Sequence, residues 1–369
     1  MTADGVSLDD LGWRQPFALA FQALGGARGL VPGRVVLQQR GRYAVLTDAG
    51  EVSAELENRF RKTAASAADL PCVGDWVALR PPSAGGALGT VCALLPRLTK
   101  FSRKAAGVDH TEQVLAANVD TIFIAMGLDG DFNVRRLERY LTVAWASGGR
   151  PVIVLTKADL CRPDELSARI AEVAAIAPQV TVVATSVLSD GGASTAEAVD
   201  AVSPFLGPGE TVVLLGSSGV GKSTLVNALL QQDVLRTGEV RPSDSRGRHT
   251  TTQRQLFRIR GGALVIDTPG IRELQLWNAK AGFDLSFADV DSFATRCRFR
   301  DCRHENEPDC AVVAAVGRGE LPAERMASFN KLKAEQGGAG GRADPETARR
   351  RKRSDASVTK LVRRKHRQD

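Results

Sequence analysis

Five short runs of apolar residues alternate with helix-like segments through the middle of this 369-residue chain. Each run has the length of a single strand, whereas the segments between them carry apolar residues at the spacing of a helix face. Strands that are apolar along their whole length need cover on both sides, so this alternation favours a parallel sheet between two layers of helices. The predicted strands are 119–126, 152–156, 180–184, 211–215 and 263–267, and the predicted helices are 134–145, 165–175, 196–205 and 222–230.

An earlier part of the chain, residues 30–96, has a different pattern. Short alternating stretches of polar and apolar residues are separated by turn residues, which is typical of antiparallel strands. Five strands in so short a segment fit a small β-barrel of the OB-fold type, although another small β domain would also satisfy the pattern. The predicted strands are 33–38, 43–47, 51–56, 75–80 and 89–95.

The two ends of the chain resemble neither of these regions. Glycine and proline interrupt every pattern in residues 1–29, which predicts an irregular segment. Short helices are predicted over 283–293, 311–316 and 322–333, around a group of cysteines and a histidine. The chain is therefore predicted to be multidomain, with segments 1–29 (irregular), 30–96 (barrel), 97–117 (linker), 118–282 (α/β), 283–336 (helical) and 337–369 (flexible basic tail).

The net charge of +7 lies entirely in one segment. Residues 342–369 contain 11 Lys or Arg and 4 Asp or Glu, so the rest of the chain is neutral. A basic tail of this kind favours an acidic partner, and a merely solvated terminus is the alternative. No apolar run reaches the roughly 18 residues of a membrane span, and the first residues lack the basic start of a signal peptide. A cytoplasmic protein is expected.

Residues 216–224 match the phosphate-binding pattern G-x-x-x-x-G-K-[ST], between a predicted strand and a predicted helix. Glycines let successive backbone N–H groups point at a phosphate. Lys222 would then contact the β- and γ-phosphate oxygens, and the Ser223 hydroxyl would bind Mg²⁺. A plain glycine turn is the alternative, but it needs neither the lysine nor the hydroxyl. The predicted nucleotide-binding residues are Gly216, Ser217, Ser218, Gly219, Val220, Gly221, Lys222, Ser223 and Thr224.

Two further segments complete the predicted phosphate site. Asp267 and Gly270 form a D-x-x-G pattern at the end of the next predicted strand. The carboxylate there can hold the water shell of Mg²⁺, and the glycine N–H can bind the γ-phosphate. The polar stretch 247–252 lies between the two motifs. Thr251 is its predicted Mg²⁺ ligand, with Thr250 as the next choice and a plain solvated loop as the alternative.

Residues 156–159 predict which base is bound. Thr156, Lys157, Ala158 and Asp159 follow a predicted strand and resemble the guanine motif N-K-x-D, with threonine in place of asparagine. A carboxylate accepts hydrogen bonds from both N1–H and N2–H₂ of guanine, a donor pair that adenine lacks. GTP is therefore predicted over ATP, with one base contact weakened by the missing amide. Residues 184–186 are a second candidate base loop, with a plain turn at a strand end as the alternative.

Four potential metal ligands lie close together near the C-terminus. Cys297, Cys302, His304 and Cys310 offer three thiolates and one imidazole, a complete tetrahedral set for a structural Zn²⁺. The charged residues between them cannot fold by apolar burial, so metal binding should supply their stability. Adventitious reduced cysteines and a redox switch are the alternatives. No open coordination position is indicated, so catalytic zinc is not expected.

The order of these motifs is unusual. The base motifs precede the phosphate loop, whereas in an ordinary GTPase they come last. Joining the original termini and reopening the chain elsewhere would produce this order. The sequence closely resembles the RsgA (YjeQ) family of circularly permuted GTPases over about 33–333, in the segments 116–120, 216–224, 247–252 and 267–270 and in the Cys/His group.

This resemblance implies a circularly permuted P-loop GTPase domain over 118–282, between an N-terminal OB-fold RNA-binding domain and a C-terminal zinc-binding domain. It implies hydrolysis of GTP with Mg²⁺, stimulated by the small (30S) ribosomal subunit during its late assembly, with 16S-type rRNA as the contact. A monomer without membrane contact is expected. The departures from the family pattern are Thr156 and the long basic tail. An RNA-binding assembly factor with a vestigial nucleotide-binding scaffold is the alternative function.

The residue that would orient the attacking water does not follow the Ras pattern. Ras-type enzymes place a glutamine directly after D-x-x-G, and Ile271 stands there in this chain. Slow intrinsic hydrolysis is therefore predicted. His249 is the candidate, because an imidazole can orient water or accept its proton, and contact with RNA is its alternative role. The predicted catalytic residues are His249, Thr251 and Lys222.

Basic residues in the barrel region predict contacts with RNA phosphates. Tyr43 and Phe60 are candidates for stacking on bases. Because aromatic residues make up only 5% of the chain, recognition of folded RNA through phosphates and shape is expected instead of single-strand reading. The basic candidates are Arg34, Arg40, Arg42, Arg59, Arg61 and Lys62, followed by Lys100, Arg103 and Lys104 in the linker.

Overall fold

The computed structural model describes residues 5–24, 29–39, 41–83, 86–104, 112–186, 193–231, 254–267, 279–305 and 307–340. The strands are β1 Val31–Gln39, β2 Arg42–Thr47, β3 Gly50–Leu56, β4 Trp76–Arg80, β5 Gly89–Leu94, β6 Lys100–Lys104, β7 Glu112–Ala117, β8 Thr121–Gly127, β9 Arg150–Thr156, β10 Thr181–Ala184, β11 Thr211–Leu215, β12 Gln255–Arg258 and β13 Leu264–Asp267. The helices are α1 Gln15–Ala23, α2 Asn58–Thr63, α3 Val134–Ser147, α4 Pro163–Ile176, α5 Ala193–Val202, α6 Lys222–Leu230, α7 Lys280–Ser286, α8 Ala288–Ala294, α9 Ala311–Gly317 and α10 Ala323–Gly340.

The first five strands close into a barrel. β1 pairs with β2 and with β4, β2 pairs with β3, and β5 joins β3 to β4 and completes the circle. Alternate side chains point inward and form the core, with Val35, Tyr43 and Leu79 each at most 3% exposed. The predicted five-stranded barrel is confirmed.

The middle of the chain forms the predicted parallel sheet. Its strand order is β10-β9-β8-β11-β13, and β12 runs antiparallel beside β13. Every residue of β8 and β11 is buried, which is why these strands are apolar along their whole length. A bridge between Leu37 of β1 and Gln255 of β12 continues this sheet into the barrel.

The junction between barrel and sheet is held by a buried arginine. Arg34 is 1% exposed and donates hydrogen bonds to the carbonyl oxygens of Leu11, Gly74 and Asn118 and to the Thr211 hydroxyl. The prediction that Arg34 faces RNA is therefore wrong. Its charge suggests a surface position, but acceptors from four distant parts of the chain converge on it and replace water.

The segment 116–120 belongs to the same junction. Asn118 has a left-handed backbone (φ 54°), and its side chain accepts a hydrogen bond from the Leu98 N–H and donates one to the Gly74 carbonyl. Asp120 accepts from the Thr211 N–H at 2.8 Å and pairs with Arg14 at 2.6 Å. This part of the family resemblance therefore reflects how the barrel is attached to the sheet.

Regular structure is present in the segment predicted to be irregular and in the segment predicted to be a linker. The prediction of an irregular region over 1–29 is wrong for α1, where Pro16 occupies the first turn and needs no backbone N–H partner. Trp13, just before α1, packs edge-on against Trp76 with 4.7 Å between ring centroids. The predicted linker 97–117 contains the antiparallel strand pair β6–β7.

The C-terminal helices pack on the sheet domain through α3. Phe283, Phe287 and Phe329 form an aromatic cluster, with 4.8 Å between the first two ring centroids. Arg325 of α10 pairs with Glu138 of α3 at 2.7 Å, and both side chains are buried. The single helix predicted over 283–293 is two helices, α7 and α8, and α10 continues beyond the predicted boundary at 336. Among the described residues no helix is long and apolar enough to cross a membrane.

Candidate nucleotide and metal sites

The phosphate loop joins β11 to α6, as predicted. Gly219 and Gly221 have φ angles of 75° and 96°, in the left-handed region where glycine is favoured. A Cβ on Gly216 would lie 2.5 Å from the Ala125 carbonyl oxygen, so only glycine lets the loop start this close to β8. The loop therefore ends at the N-terminus of α6, the kind of helix end that favours a bound phosphate.

Lys222 and Asp267 lie at the same edge of the sheet, where the parallel strands β11 and β13 end. The Lys222 ammonium donates hydrogen bonds to the carbonyl oxygens of Gly216, at 2.8 Å, and Ser217, so its charge lies within the phosphate loop. Asp267 ends β13, next to β11. Burial raises the pKa of Asp267, and the positive charge of Lys222 partly opposes that rise. Both predicted charges therefore lie at the carboxyl ends of two adjacent strands, β11 and β13.

The base motif follows β9 and contacts the phosphate loop directly. The buried Thr156 hydroxyl donates a hydrogen bond to the Val220 carbonyl oxygen at 2.6 Å. Threonine in the asparagine position therefore ties the base loop to the phosphate loop. Sequence reasoning saw only the lost amide and missed this contact.

Asp159 and the second candidate base loop also meet. The Asp159 N–H donates to the Ser186 hydroxyl oxygen at 2.8 Å, and that hydroxyl donates to the Asp159 carboxylate at 2.5 Å. The Ala158 N–H donates to the Thr185 carbonyl oxygen. This pairing favours the interpretation of 184–186 as part of the base site over a plain turn, and the Asp159 side chain is left exposed.

A third loop lies beside these two, and sequence reasoning missed it. Residues 128–133 connect β8 to α3, and their two carboxylates each contact a nucleotide-binding loop. Asp129 pairs with Lys157 at 2.5 Å, and Asp131 accepts a hydrogen bond from the Ser217 hydroxyl. The available signal was an Asp-Gly-Asp sequence at the end of an apolar strand, where the carboxyl ends of parallel strands form binding sites.

Several predicted residues lie outside the described ranges. These are Arg40 of the barrel region, His249, Thr250 and Thr251 of the stretch 247–252, Gly270, and the basic tail 342–369. Their predicted roles stay predictions.

The four predicted metal ligands converge. Their ligand atoms all lie within 4.8 Å of one another. His304 Nδ1 is 3.6 Å from Cys297 Sγ and 3.5 Å from Cys310 Sγ, and the two sulfur atoms are 3.9 Å apart. Tetrahedral Zn²⁺ bound by sulfur and nitrogen spaces its ligand atoms by about 3.5–3.8 Å. The donor set and its spacing therefore fit a zinc ion.

The elements around this cluster position its ligands. Cys310 caps the N-terminus of α9, and Cys297 follows the end of α8. His304 adopts a left-handed backbone (φ 62°), and its ring lies 6.2 Å from that of Phe329 of α10. The cluster thus joins three of the C-terminal helices.

The predicted RNA-facing side chains are only partly at the surface. Arg59, Arg61 and Lys62 of α2 are exposed, and Arg42 is exposed and paired with Glu55. The prediction that Tyr43 stacks on bases is wrong. Its side chain points from β2 into the barrel core and is only 3% exposed. Phe60 is half-buried against the barrel core.

Comparison with known proteins places these sites in context. The family model for the RsgA GTPase matches residues 94–277. A protein of Opitutus terrae named small ribosomal subunit biogenesis GTPase RsgA is 48% identical over 93% of this chain and 94% of its own length. A protein of Lactiplantibacillus plantarum named small ribosomal subunit biogenesis GTPase RsgA 2 is 47% identical over 83% of this chain and 84% of its own.

Two solved structures have the same fold. The structure of YjeQ from Thermotoga maritima covers 83% of this chain and 98% of its own, with a TM-score of 0.59 and 26% identity. That of YloQ, described as a circularly permuted GTPase, covers 84% of this chain and 96% of its own, with a TM-score of 0.57 and 23% identity. The reversed order of base and phosphate motifs is therefore a property of the fold.

Proposed function

The chain belongs to the RsgA family of GTPases, and from this premise we propose that it hydrolyses GTP in the biogenesis of the small ribosomal subunit. The observation that supports this most strongly is the convergence of two loops at the carboxyl ends of β9 and β11. Asp159 lies in the base loop and Lys222 in the phosphate loop, and the bond from Thr156 to Val220 joins the two. A ligand that spans both loops needs a guanine-like base and a phosphate chain.

The residues of the site would share the work as follows. Asp159 accepts the two guanine donors, Lys222 neutralises the β- and γ-phosphates, and Ser223 and Thr251 bind the Mg²⁺ that accompanies GTP. Asp267 would interact with that Mg²⁺ through water, and Gly270 would bind the γ-phosphate. His249 orients the water that attacks the γ-phosphate to give GDP and phosphate. Without a glutamine after D-x-x-G, hydrolysis is slow until a partner completes the site.

The Cys/His cluster would hold one structural Zn²⁺. Three thiolates and one imidazole satisfy the ion completely, so it has no free position for water or substrate. With the ion bound, Cys297 and Cys310 would join the end of α8 to the start of α9 and so stabilise the C-terminal surface.

The partner would be the small (30S) subunit, bound through its 16S-type rRNA. Exposed Arg59, Arg61 and Lys62 on the barrel supply phosphate contacts, the zinc region supplies a second contact, and the basic tail 342–369 adds a non-specific one. The protein would act in the cytoplasm as a monomer, late in subunit assembly.

Nucleotide-dependent binding separates this function from that of an RNA-binding factor with a vestigial nucleotide scaffold. The full-length protein is sedimented with purified small subunits in GDP and in a non-hydrolysable GTP analogue. A switch predicts clearly tighter binding with the analogue. Equal binding in both nucleotides and in their absence would favour the scaffold.

A further inference from the structure

The loop of residues 128–133 has no assigned role, yet it lies between the two loops that bind the nucleotide. It follows β8, and β8 lies between β9 and β11 in the sheet. The base loop follows β9 and the phosphate loop follows β11. The loop of residues 128–133 therefore starts at the edge of the sheet between the starts of the other two.

One end of this loop is bonded to the base loop. The Leu128 N–H donates to the Thr156 carbonyl oxygen at 2.9 Å, and the Asp129 carboxylate pairs with the Lys157 ammonium at 2.5 Å. Lys157 has a left-handed backbone (φ 60°), an unusual conformation for a non-glycine residue. Asp129 contacts the far end of its side chain, so the lysine is held at the ammonium as well as at the backbone of the neighbouring Thr156.

The charge of Asp129 suits this contact. Burial alone would raise the pKa of Asp129, but the hydrogen bonds from Lys157 and from the Asp131 backbone N–H outweigh it and leave the pKa below its ordinary value. The carboxylate is therefore ionised at neutral pH and can form an ion pair with the Lys157 ammonium. Both side chains are about 30% exposed, so water and salt weaken the pair without removing it.

The other end of the loop is bonded to the phosphate loop and to α3. Asp131 accepts a hydrogen bond from the Ser217 hydroxyl and pairs with Arg136 at 2.7 Å. Asn133 caps the first turn of α3 by accepting from the Arg136 N–H at 3.0 Å. The loop of residues 128–133 is thus held by α3 and the phosphate loop, and its position does not depend on the base loop alone.

We propose that Asp129 is a positioning residue for the guanine base: its ion pair with Lys157 holds the alkyl chain of that lysine where it covers the base. This inference rests on the proposed guanine site. A lysine that is already fixed loses less freedom when the nucleotide binds, and the saving per immobilised side chain corresponds to about 2- to 10-fold in affinity. The effect falls on binding and not on the reacting phosphate, because Lys157 lies in the base loop.

The test uses the full-length protein and the fluorescent nucleotide mant-GDP. Asp129→Asn should weaken binding about 2- to 10-fold, raise the KM for GTP by the same factor and leave kcat unchanged. Asp129→Glu should recover part of the affinity. Asp164→Asn, which removes an exposed carboxylate from the first turn of α4, is the matched control and should bind as the wild type does.

A double variant shows whether Asp129 acts through the lysine. Lys157→Met weakens binding by itself, and adding Asp129→Asn to it should cause no further loss. Equal or tighter binding by Asp129→Asn would overturn the proposal, as would a loss that adds in full to that of Lys157→Met. Failure of the guanine site itself would look different, since the wild type would then bind mant-GDP and an adenine analogue equally.

Discussion

The nucleotide site and the Cys/His cluster are both built from short segments, but they are held in different ways. The nucleotide loops follow strands whose side chains are buried on both faces, so the hydrophobic core of the sheet sets their spacing. Most residues between Cys297 and Cys310 are exposed, so little apolar burial supports this stretch, and its four potential metal ligands converge at one point. The first site should persist without its ligand, and the second should depend on its metal.

Removal of zinc should have the largest effect and should separate the two regions. Structural Zn²⁺ contributes roughly 10 kcal/mol or more to the folding of small zinc modules at neutral pH. Cys302→Ser should therefore release the metal and abolish hydrogen-exchange protection in the Cys/His stretch and α9. Strands β8, β9 and β11 should keep their protection, and affinity for GTP should stay within about twofold, because these strands rest on their own core.

The matched control is Cys92→Ser, a half-buried cysteine of barrel strand β5 outside the cluster. It should retain one equivalent of zinc. Less than about half an equivalent in reduced wild-type protein would contradict the zinc assignment, and loss of GTP binding in Cys302→Ser would contradict the independence of the two sites.

Lys222→Ala tests the nucleotide half of the comparison. Removing the charge that meets the β- and γ-phosphates should lower the rate of GTP hydrolysis by about 10²–10³-fold. The thermal unfolding temperature should hardly change, since the loop is positioned by β11 and α6. Phosphate release and a thermal melt on the same samples check both parts, with exposed Lys62→Ala as the control for loss of one positive charge.

Asp159→Asn changes which base the site accepts. Asparagine presents a donor where the carboxylate accepted two, so guanine loses its partner while xanthine, with a carbonyl in place of the amine, gains one. The preference should shift from GTP toward xanthosine triphosphate by about 10²-fold. Competition among GTP, xanthosine triphosphate and ATP measures this, and effective competition by ATP in the wild type would refute guanine specificity.

Deletion of residues 342–369 should have the smallest effect on catalysis. The tail carries the whole net charge of +7, so its loss should weaken binding to the subunit and flatten the dependence of that binding on salt. Stimulated hydrolysis at saturating subunit should survive. Charge reversal of Arg59, Arg61 and Lys62 in the barrel should instead reduce that stimulation. Loss of stimulation on deletion of the tail, with stimulation intact after charge reversal in the barrel, would contradict this division of roles.

Sequence-based predictions were most accurate for elements whose local residue pattern directly reflects their burial in the structure. The phosphate loop, β11 and α6 were predicted at their observed bounds, because an apolar strand, glycines and a helix start follow one another along the chain. The convergence of the four Cys/His side chains was also predictable, because their close spacing in the sequence is typical of a metal-binding motif.

Contacts between distant parts of the chain could not be predicted. Arg34 is buried because acceptors at positions 11, 74, 118 and 211 meet around it, and no local pattern reports that meeting. The pair of Asp129 with Lys157 likewise depends on β8 lying next to β9 in the sheet. The sequence shows only that Thr156 lacks the amide of asparagine. The hydrogen bond from its hydroxyl to the Val220 carbonyl oxygen depends on the fold.

The most direct test of the function is the rate of GTP hydrolysis by the full-length protein as purified small ribosomal subunits are added. Slow turnover in their absence and a saturable acceleration in their presence are expected, with no acceleration for Lys222→Ala. A rate that does not respond to the subunit, in a protein that nevertheless binds it, would contradict a subunit-stimulated GTPase.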